Sequence, residues 1–259
     1  MGEKEMTFWE HLDELRKVLF RSAVVIAVLM AGIFMAKDFV FNTVVFAPID
    51  SDFVLYRLID KALLLLNMPM LPEFHLELIN IDLSAQFFIH VSTTFYFALV
   101  LAIPFIIYQL WSFVKPALYE NEKRAAQAAF AFSGVLFLLG VLVGYFLIFP
   151  LTLRFLGTYQ VSYEVANQIS LQSYISMFTW LILIMGVVFE MPSLAVILSK
   201  IGILTKSFLK KYRRHAFVVM LVVAAFITPS GDPFTLMAVG LPLYGLYELS
   251  ILVCRDFDK

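Results

Sequence analysis

The pattern of apolar positions predicts a chain made mostly of membrane-spanning helices. A helix needs about 20 mostly apolar residues to cross roughly 30 Å of hydrocarbon. Apolar runs of that length occupy residues 18–36, 87–108, 125–149, 174–198 and 234–253. A sixth run, residues 216–227, would cover only about 18 Å as a helix, and the turn-forming residues 228–232 follow it. Together the last two runs predict a helical hairpin whose first arm is short enough to thin the bilayer locally.

The segment between the first two spans, residues 37–85, is too long to lack structure in a compact domain. Within it, residues 56–68 place Leu and Ile at helical spacing between Arg57, Asp60 and Lys61. That pattern is typical of an amphipathic helix lying at a membrane surface. A structured loop on the outer face of the membrane is therefore expected here.

The chain is predicted to form a single membrane domain. Residues 1–17 place Phe8, Leu12 and Leu15 at helical spacing, which predicts an amphipathic helix on the cytoplasmic face. Residues 18–253 then hold six transmembrane spans, and residues 254–259 form a cytoplasmic tail.

Composition and charge agree with this class and fix the orientation. Of the 259 residues, 61% are hydrophobic and 15% charged, whereas soluble domains are about a quarter charged. Fifteen of the 19 Lys and Arg residues fall in segments on the N-terminal side of the membrane, and the other four are Lys37, Arg57, Lys61 and Arg154. Because cytoplasmic loops collect Lys and Arg, both termini are predicted inside. The net charge of −1 gives no reason to expect a nucleic-acid partner.

Sequence signatures of catalysis are missing. The chain contains no GxxxxGK[ST] phosphate-binding loop and no GxSxG nucleophile elbow, and its four His residues are scattered without metal-ligand spacing. The sequence therefore predicts a protein that is not an enzyme and that needs neither cofactor nor metal.

Several polar residues stand out against this apolar background. Glu190 lies inside a predicted span, where an ionisable group costs at least a few kcal/mol unless it is paired, hydrated or protonated. It is either a docking point for a partner or a neutral carboxyl that bonds a neighbouring helix. Glu14 and Glu122 lie on the cytoplasmic face; each suits an ordinary helix surface or helix start, but each would also attract a cationic partner. Gln109 and Glu248 interrupt two other spans.

Four segments together resemble the TatC family, the multispanning subunit of the twin-arginine, or Sec-independent, protein translocase. They are His11-Leu-Asp-Glu-Leu-Arg16, residues 104–122 (PFIIYQLWSFVKPALYENE), Phe189-Glu-Met-Pro192 and Ile227-Thr-Pro-Ser-Gly-Asp232. The second is the most specific, and the likeness extends over nearly the whole chain. It implies an all-α polytopic fold of six transmembrane helices in a curved, glove-like arrangement, with short fifth and sixth helices and both termini inside.

The resemblance also implies a function and partners. A member of this family is a translocase core in the prokaryotic cytoplasmic membrane that recognises signal peptides with paired arginines. It recruits TatA- and TatB-like single-span subunits and further copies of itself, and folded proteins then cross using the proton-motive force. Membrane lipids are the remaining expected partners.

Site residues follow from the matching motifs. Signal-peptide binding is implied for one set of positions, Glu14, Arg16, Phe113, Pro116, Leu118, Tyr119 and Glu122. Contact with partner subunits is implied for Gln109 and Glu190, and outer-loop function for Pro48 and Asp232. The chain departs from the family pattern after Asp232, where Pro-Phe-Thr replaces the more usual apolar-aromatic-Gln, so the role of that loop is left open.

Two other classes of protein fit part of the pattern. In a secondary transporter or channel, Glu190 and Glu248 would line an ion or proton path at the bilayer midplane. Paired broken helices in corresponding halves, which many transporters show, are missing from the sequence. A purely structural scaffold would make no use of Glu14 and Glu122.

Overall fold

The computed structural model describes residues 8–72, 74–117, 120–162, 164, 167–200, 202–228 and 231–254, and most of them are helical. The helices are α1 (Phe8–Met35), α2 (Lys37–Phe39), α3 (Val54–Leu65), α4 (Ala85–Val114), α5 (Glu120–Val143), α6 (Phe149–Thr158), α7 (Leu171–Val188), α8 (Met191–Lys200), α9 (Lys206–Lys211), α10 (Arg213–Ile227) and α11 (Pro233–Val253). Two-residue strands β1 (Leu78–Ile79) and β2 (Ile169–Ser170) pair in parallel. π-Helical segments occupy Val40–Val45 and Gly144–Ile148, and 3₁₀ turns occupy Ala47–Ile49 and Lys115–Ala117.

Helices α1 and α4 form an antiparallel pair. Near the start of α1, His11 stacks on Phe113 at the end of α4, with ring centroids 4.2 Å apart. At the other end, Phe34 stacks on His90 at 4.0 Å. The chain between them therefore leaves and re-enters the membrane on the same side.

The segment Lys37–Leu65 is long and apolar enough to cross a membrane, yet it is folded into a cap. Its helical path is broken by the π-helical segment and by the 3₁₀ turn that contains Pro48. Two hydrogen bonds fasten it to later helices, from the Tyr174 hydroxyl to the Val45 carbonyl at 2.6 Å and from the Tyr56 hydroxyl to the Pro150 carbonyl at 2.9 Å. The helix predicted over 56–68 is observed as α3, which ends at Leu65, before Asn67 turns into the left-handed region at φ 55°.

Each of the next two spans is made of two α-helices that follow each other along the chain. Helix α5 runs through a π-helical segment into α6, whereas α7 breaks at Phe189 and Glu190 before α8. These two spans pack antiparallel, and glycines bring them close together. A Cβ at Gly140 would lie 2.5 Å from the Met185 carbonyl oxygen, and one at Gly186 would lie 2.6 Å from the Phe137 ring. The GxxxG at residues 140–144 is thus a close helix–helix contact.

The last two helices form the predicted hairpin with a short first arm. Helix α10 has 15 residues and α11 has 21, against 28 in α1 and 30 in α4. Trp180 Nε1 donates to the Ile227 carbonyl at 2.7 Å. Trp180 is nine residues, or about 14 Å, from the outer start of α7, so α10 ends well below the outer surface.

Six crossings result, by α1, α4, α5–α6, α7–α8, α10 and α11. By length and composition alone, six stretches also qualify as spans, but this set differs from the six crossings. It includes Lys37–Leu65 and leaves out α10, which is too short to qualify. An even number of crossings puts both termini on one side, and the distribution of Lys and Arg makes that side the cytoplasm. The expected all-α, six-span fold is confirmed.

The packed core lies mainly towards the outer side. The largest cluster of buried residues joins the cap to α5–α6 and α7, around Tyr56, Phe149, Tyr174 and Phe178. A smaller cluster joins α8, α9 and α11 at the inner side, around Leu209 and Tyr247. Among the described residues, neither cluster includes the inner ends of α1, α4 and α5.

Candidate functional site

The inner ends of α1 and α4 bring two predicted site residues together. Glu14 lies on α1 one turn after His11, whose ring stacks on Phe113 of α4 with 26° between the ring planes. Pro116 follows in the 3₁₀ turn Lys115–Ala117 and is exposed. A carboxylate and an aromatic ring therefore share one edge of the inner surface. His11 was not among the predicted site residues, although its position three residues before Glu14 places both on one helix face.

Glu14 already has a cationic neighbour. Lys17 Nζ lies 2.7 Å from Glu14 Oε1, and both side chains are about half exposed. Glu14 precedes the apolar stretch of α1 that crosses the membrane, and its hydrogen bond with Lys17 lowers the pKa of its carboxyl, so the group is ionised at neutral pH. Arg16 is exposed and lies about 200° around the helix from Glu14, so it faces another direction.

Other predicted residues lie on the same surface or outside the described part. Leu118 and Tyr119 fall outside the described residues, and of Glu122 only the backbone, in the first turn of α5, is described. Trp111 of α4 contacts Phe130 of α5 with ring centroids 5.3 Å apart. Glu122 is eight residues before Phe130, or about 12 Å nearer the inner side. Its backbone is therefore at the same end of the molecule as Glu14 and Phe113.

A groove between α4 and α5 opens beside this surface. Its volume is about 370 Å³. The lining is mostly apolar and includes Tyr108, Trp111, Gln127, Phe130 and Leu138. No pattern in the sequence predicts this groove, because the groove depends on which faces of α4 and α5 meet. Gln109, predicted as a partner contact, is 6% exposed and is not part of the lining.

Glu190 occupies the break between α7 and α8. The Ser133 hydroxyl of α5 donates to its Oε2 atom, while its Oε1 atom is buried without a hydrogen-bond partner among the described residues. The neighbouring Ser193 hydroxyl donates to the Ala129 carbonyl at 3.2 Å, which ties the same two spans together. One of the two oxygens of this carboxyl is thus buried without a hydrogen bond among the described residues.

The two outer-loop residues hold the backbone in place. Pro48 is buried in the cap, and its carbonyl accepts a hydrogen bond from the Tyr56 hydroxyl at 3.3 Å. Asp232 caps the N-terminus of α11, where its side chain accepts from the Thr235 backbone N–H at 2.7 Å.

Glu248 has a partner that the sequence did not indicate. Arg213 at the start of α10 holds its carboxylate with two hydrogen bonds, from Nε and from a terminal guanidinium nitrogen. Glu248 lies five residues, or about 8 Å, from the inner end of α11. This pairing at the inner end does not support the alternative of an ion path formed by Glu190 and Glu248.

Six crossings, a short penultimate helix, and glutamate and aromatic side chains at the inner ends of α1 and α4 define a polytopic helical membrane protein. Residues 10–242 match the family described as "Sec-independent protein translocase protein (TatC)". The chain belongs to this TatC family and is a subunit of the twin-arginine protein translocase. It is a multi-pass protein of the bacterial inner membrane.

Curated relatives and solved structures agree. The chain is 37% identical to the TatC of Blattabacterium sp. subsp. Periplaneta americana over 99% of its own length and 98% of that protein's. It is 32% identical to TatCy of Bacillus subtilis, over 98% of this chain and 91% of the relative. Two crystal structures described as the twin arginine translocase receptor TatC superpose with TM-scores of 0.68 and 0.73 at 32% and 31% identity. The alignments cover 94% and 95% of this chain, and 97% and 100% of the solved ones.

Proposed function

We propose that the inner surface formed by the N-terminal half of α1, the end of α4 and the start of α5 binds the paired arginines of twin-arginine signal peptides. The observation that carries this proposal is the stacking of His11 on Phe113, which fixes Glu14 beside the end of α4. Glu122 starts the next span on the same side. Two carboxylates near the headgroup boundary suit two adjacent guanidinium groups, because each planar fork can bind a carboxylate bidentately.

Binding at Glu14 would involve an exchange of partners. In the free protein its carboxylate is paired with Lys17, an exposed contact of the kind that contributes little to stability. An arginine of the signal can replace the lysine and use both carboxylate oxygens, which a lysine ammonium cannot do at once. The apolar segment that follows the arginines would then lie against the lipid-facing helices, where the groove between α4 and α5 offers an apolar wall.

In this proposal the chain is a receptor and assembly core. It forms one membrane domain, in which residues 8–17 of α1 lie on the cytoplasmic face and residues 18–253 span the membrane. Residues 1–7 and 255–259, the rest of the predicted cytoplasmic helix and tail, lie outside the described residues. TatA- and TatB-like single-span subunits and further copies of the chain assemble around it to move folded cargo with the proton-motive force. Glu190 Oε1 is buried without a hydrogen bond among the described residues, and it would accept a hydrogen bond from a donor on a partner's span once the side chains that cover it move aside.

The test of the arginine site uses photocrosslinking in membranes that contain the partner subunits. Probes at the inner ends of α1 and α5 are crosslinked to an Arg-Arg signal peptide and to a Lys-Lys peptide of otherwise equal sequence. Glu14→Gln and Glu122→Gln should each weaken Arg-Arg binding by several-fold to about tenfold, and Lys-Lys binding less, because the lost bidentate geometry is specific to arginine.

Neighbouring carboxyls provide matched controls for this test. Glu10→Gln on α1 and Glu120→Gln on α5 remove the same charge from the same helices, and they should leave the Arg-Arg preference unchanged. Equal losses for both peptides in the Glu14 and Glu122 variants would indicate simple charge attraction. That result would contradict the proposed site.

The role of Glu190 is tested by crosslinking a single-span partner to the α7–α8 break. Glu190→Ala should strongly reduce this crosslink, while Glu190→Gln should retain part of it, because an amide oxygen still accepts a hydrogen bond. Ser133→Ala is the control, since it frees Oε2 and leaves the carboxyl in place. An unchanged crosslink in Glu190→Ala would rule out this role.

A further inference from the structure

The connection from the end of α8 to the start of α10 is strongly basic. Residues 200–214 contain no Asp or Glu and six cations, Lys200, Lys206, Lys210, Lys211, Arg213 and Arg214. Arg213 is held by Glu248. Within the described ranges, the other five cations make no ion pair with a carboxylate. Among the described residues, five positive charges at the inner side of the molecule therefore have no carboxylate partner.

This basic segment is fixed to the bundle by one face of α9. Leu209 is buried in the inner cluster, and its carbonyl accepts a hydrogen bond from the Tyr247 hydroxyl at 2.7 Å. The Thr205 hydroxyl caps the helix by accepting from the Phe208 backbone N–H at 3.1 Å. Lys210 and Lys211, which follow Leu209 on α9, are exposed, so the anchored helix presents both lysines at the inner end of α11.

Exposed aromatic rings accompany these lysines. Phe208 and Tyr212 are 51% and 40% exposed and contact each other with ring centroids 4.7 Å apart. Lys211 Nζ lies 5.8 Å from the centroid of the Tyr212 ring. Aromatic rings and long basic side chains are enriched together where the hydrocarbon of a bilayer meets its headgroups.

We propose that residues 206–214 form a binding surface for the headgroups of anionic phospholipids in the inner leaflet. The charges are complementary, and the basic face stands at the inner end of a transmembrane helix, where headgroups lie. Correct insertion requires only that Lys and Arg are present on this side. It does not require a capped, anchored helix with two exposed rings, so the orientation rule alone leaves this arrangement unexplained. The proposal does not depend on signal-peptide binding.

The experiment uses the full chain in vesicles that contain three parts of phosphatidylcholine to one part of phosphatidylglycerol. In one preparation a trace of the phosphatidylglycerol is photoactivatable, and in the other a trace of the phosphatidylcholine. Crosslinks are mapped by mass spectrometry. Phosphatidylglycerol should label residues 203–214 at least about fivefold more than phosphatidylcholine does, which is the gain expected from even one cation near an anionic surface. Raising the ionic strength should reduce this preference, because the rings and lysines are exposed to solvent.

Variants separate a built surface from general attraction. One variant combines four substitutions, Lys206→Gln, Lys210→Gln, Lys211→Gln and Arg214→Gln, and it should lose the preference for phosphatidylglycerol. A second variant, in which the three lysines are changed to Arg, should keep that preference. Arg57→Gln with Lys61→Gln removes two outer-surface charges and should have no effect at residues 203–214. Equal labelling by both lipids in the unmodified protein, or a preference that survives the four Gln substitutions or high salt, would overturn the proposal.

Discussion

Single glycines set the distance between the two central spans. At Gly140 an added Cβ would meet the Met185 carbonyl oxygen at 2.5 Å and the Phe189 Cβ at 2.7 Å. Neither can move without shifting the α7 backbone. Lipid offers no hydrophobic drive for helix association, so such close packing is a main source of stability. Phe189 precedes Glu190, so this contact also fixes where the intramembrane carboxyl stands.

Gly140→Ala is therefore expected to destabilise the protein. Overpacking of this kind costs roughly 1–3 kcal/mol, because backbone and side chains must shift to admit one methyl group. Thermal unfolding in a single detergent measures the effect as a lower melting temperature.

Gly245→Ala is the matched control, since a Cβ at Gly245 meets nothing within 4 Å and alanine favours a helix over glycine. It should melt at the same temperature as the unmodified protein or slightly above it. If both variants melted alike, the close contact at Gly140 would be unimportant for stability.

Helix α10 crosses the membrane with only 15 residues, about 23 Å of helix against roughly 30 Å of hydrocarbon, and it is fastened at both ends. Its inner end is held by the paired hydrogen bonds between Arg213 and Glu248. Its outer end is held by Trp180 Nε1, which donates to the Ile227 carbonyl. Two residues of α10, Ala224 and Ile227, are buried. Because so little of the helix is buried, its position depends on these two connections.

Removing either connection should loosen only its own end. Trp180→Phe is expected to speed hydrogen exchange at residues 224–228, because the last turn loses its anchor and frays. Glu248→Gln should speed exchange around residues 216–220 instead. Hydrogen–deuterium exchange with mass spectrometry compares the two variants, each serving as the control for the other. Equal changes along the whole helix in both variants would show that α10 opens as one unit.

At the scale of the whole molecule, the outer cap joins parts of the chain that are far apart in sequence. Tyr174 and Tyr145 donate to the adjacent carbonyls of Val45 and Val44, and β1 pairs with β2 across about 90 residues. The cap therefore fixes the outer ends of α5–α6 and α7. The two hydrogen bonds and the strand pair all lie on the outer side, away from the inner ends of α1 and α4.

This arrangement predicts that both flanks of the cap face outwards. Cys254 is the only cysteine, so Cys254→Ser gives a background for single-cysteine labelling. Asp38→Cys and Asn67→Cys should both react with a membrane-impermeant maleimide added from outside, because the antiparallel pairing of α1 and α4 keeps residues 36–84 on one side.

Lys211→Cys should react only after the membrane is permeabilised, and it serves as the control from the inner face. Protection of Asn67→Cys with labelling of Asp38→Cys would mean that residues 37–65 cross the membrane. That outcome would change the number of crossings and the location of the C-terminus.

The class of protein, its orientation and most of its spans could be predicted from the linear order of residues alone. Hydrophobic length is a property of a continuous stretch, so five long spans and the short arm near residues 216–227 are visible without a structure. The excess of Lys and Arg on one side fixes the orientation for the same reason. Glu14, Glu122 and Glu190 stood out because acidic residues are unusual in those environments.

Features that depend on which elements meet could not be predicted in this way and became visible only in the folded protein. By length and composition, Lys37–Leu65 qualifies as a membrane span. Because α1 and α4 pair antiparallel, however, this segment begins and ends on the outer side and forms the cap. Glu248 resembled a midplane ionisable group until Arg213, 35 residues earlier, proved to be its partner. Hydrogen bonds, ion pairs and ring contacts between distant segments are set by packing in three dimensions, and a linear pattern of residues carries no record of them.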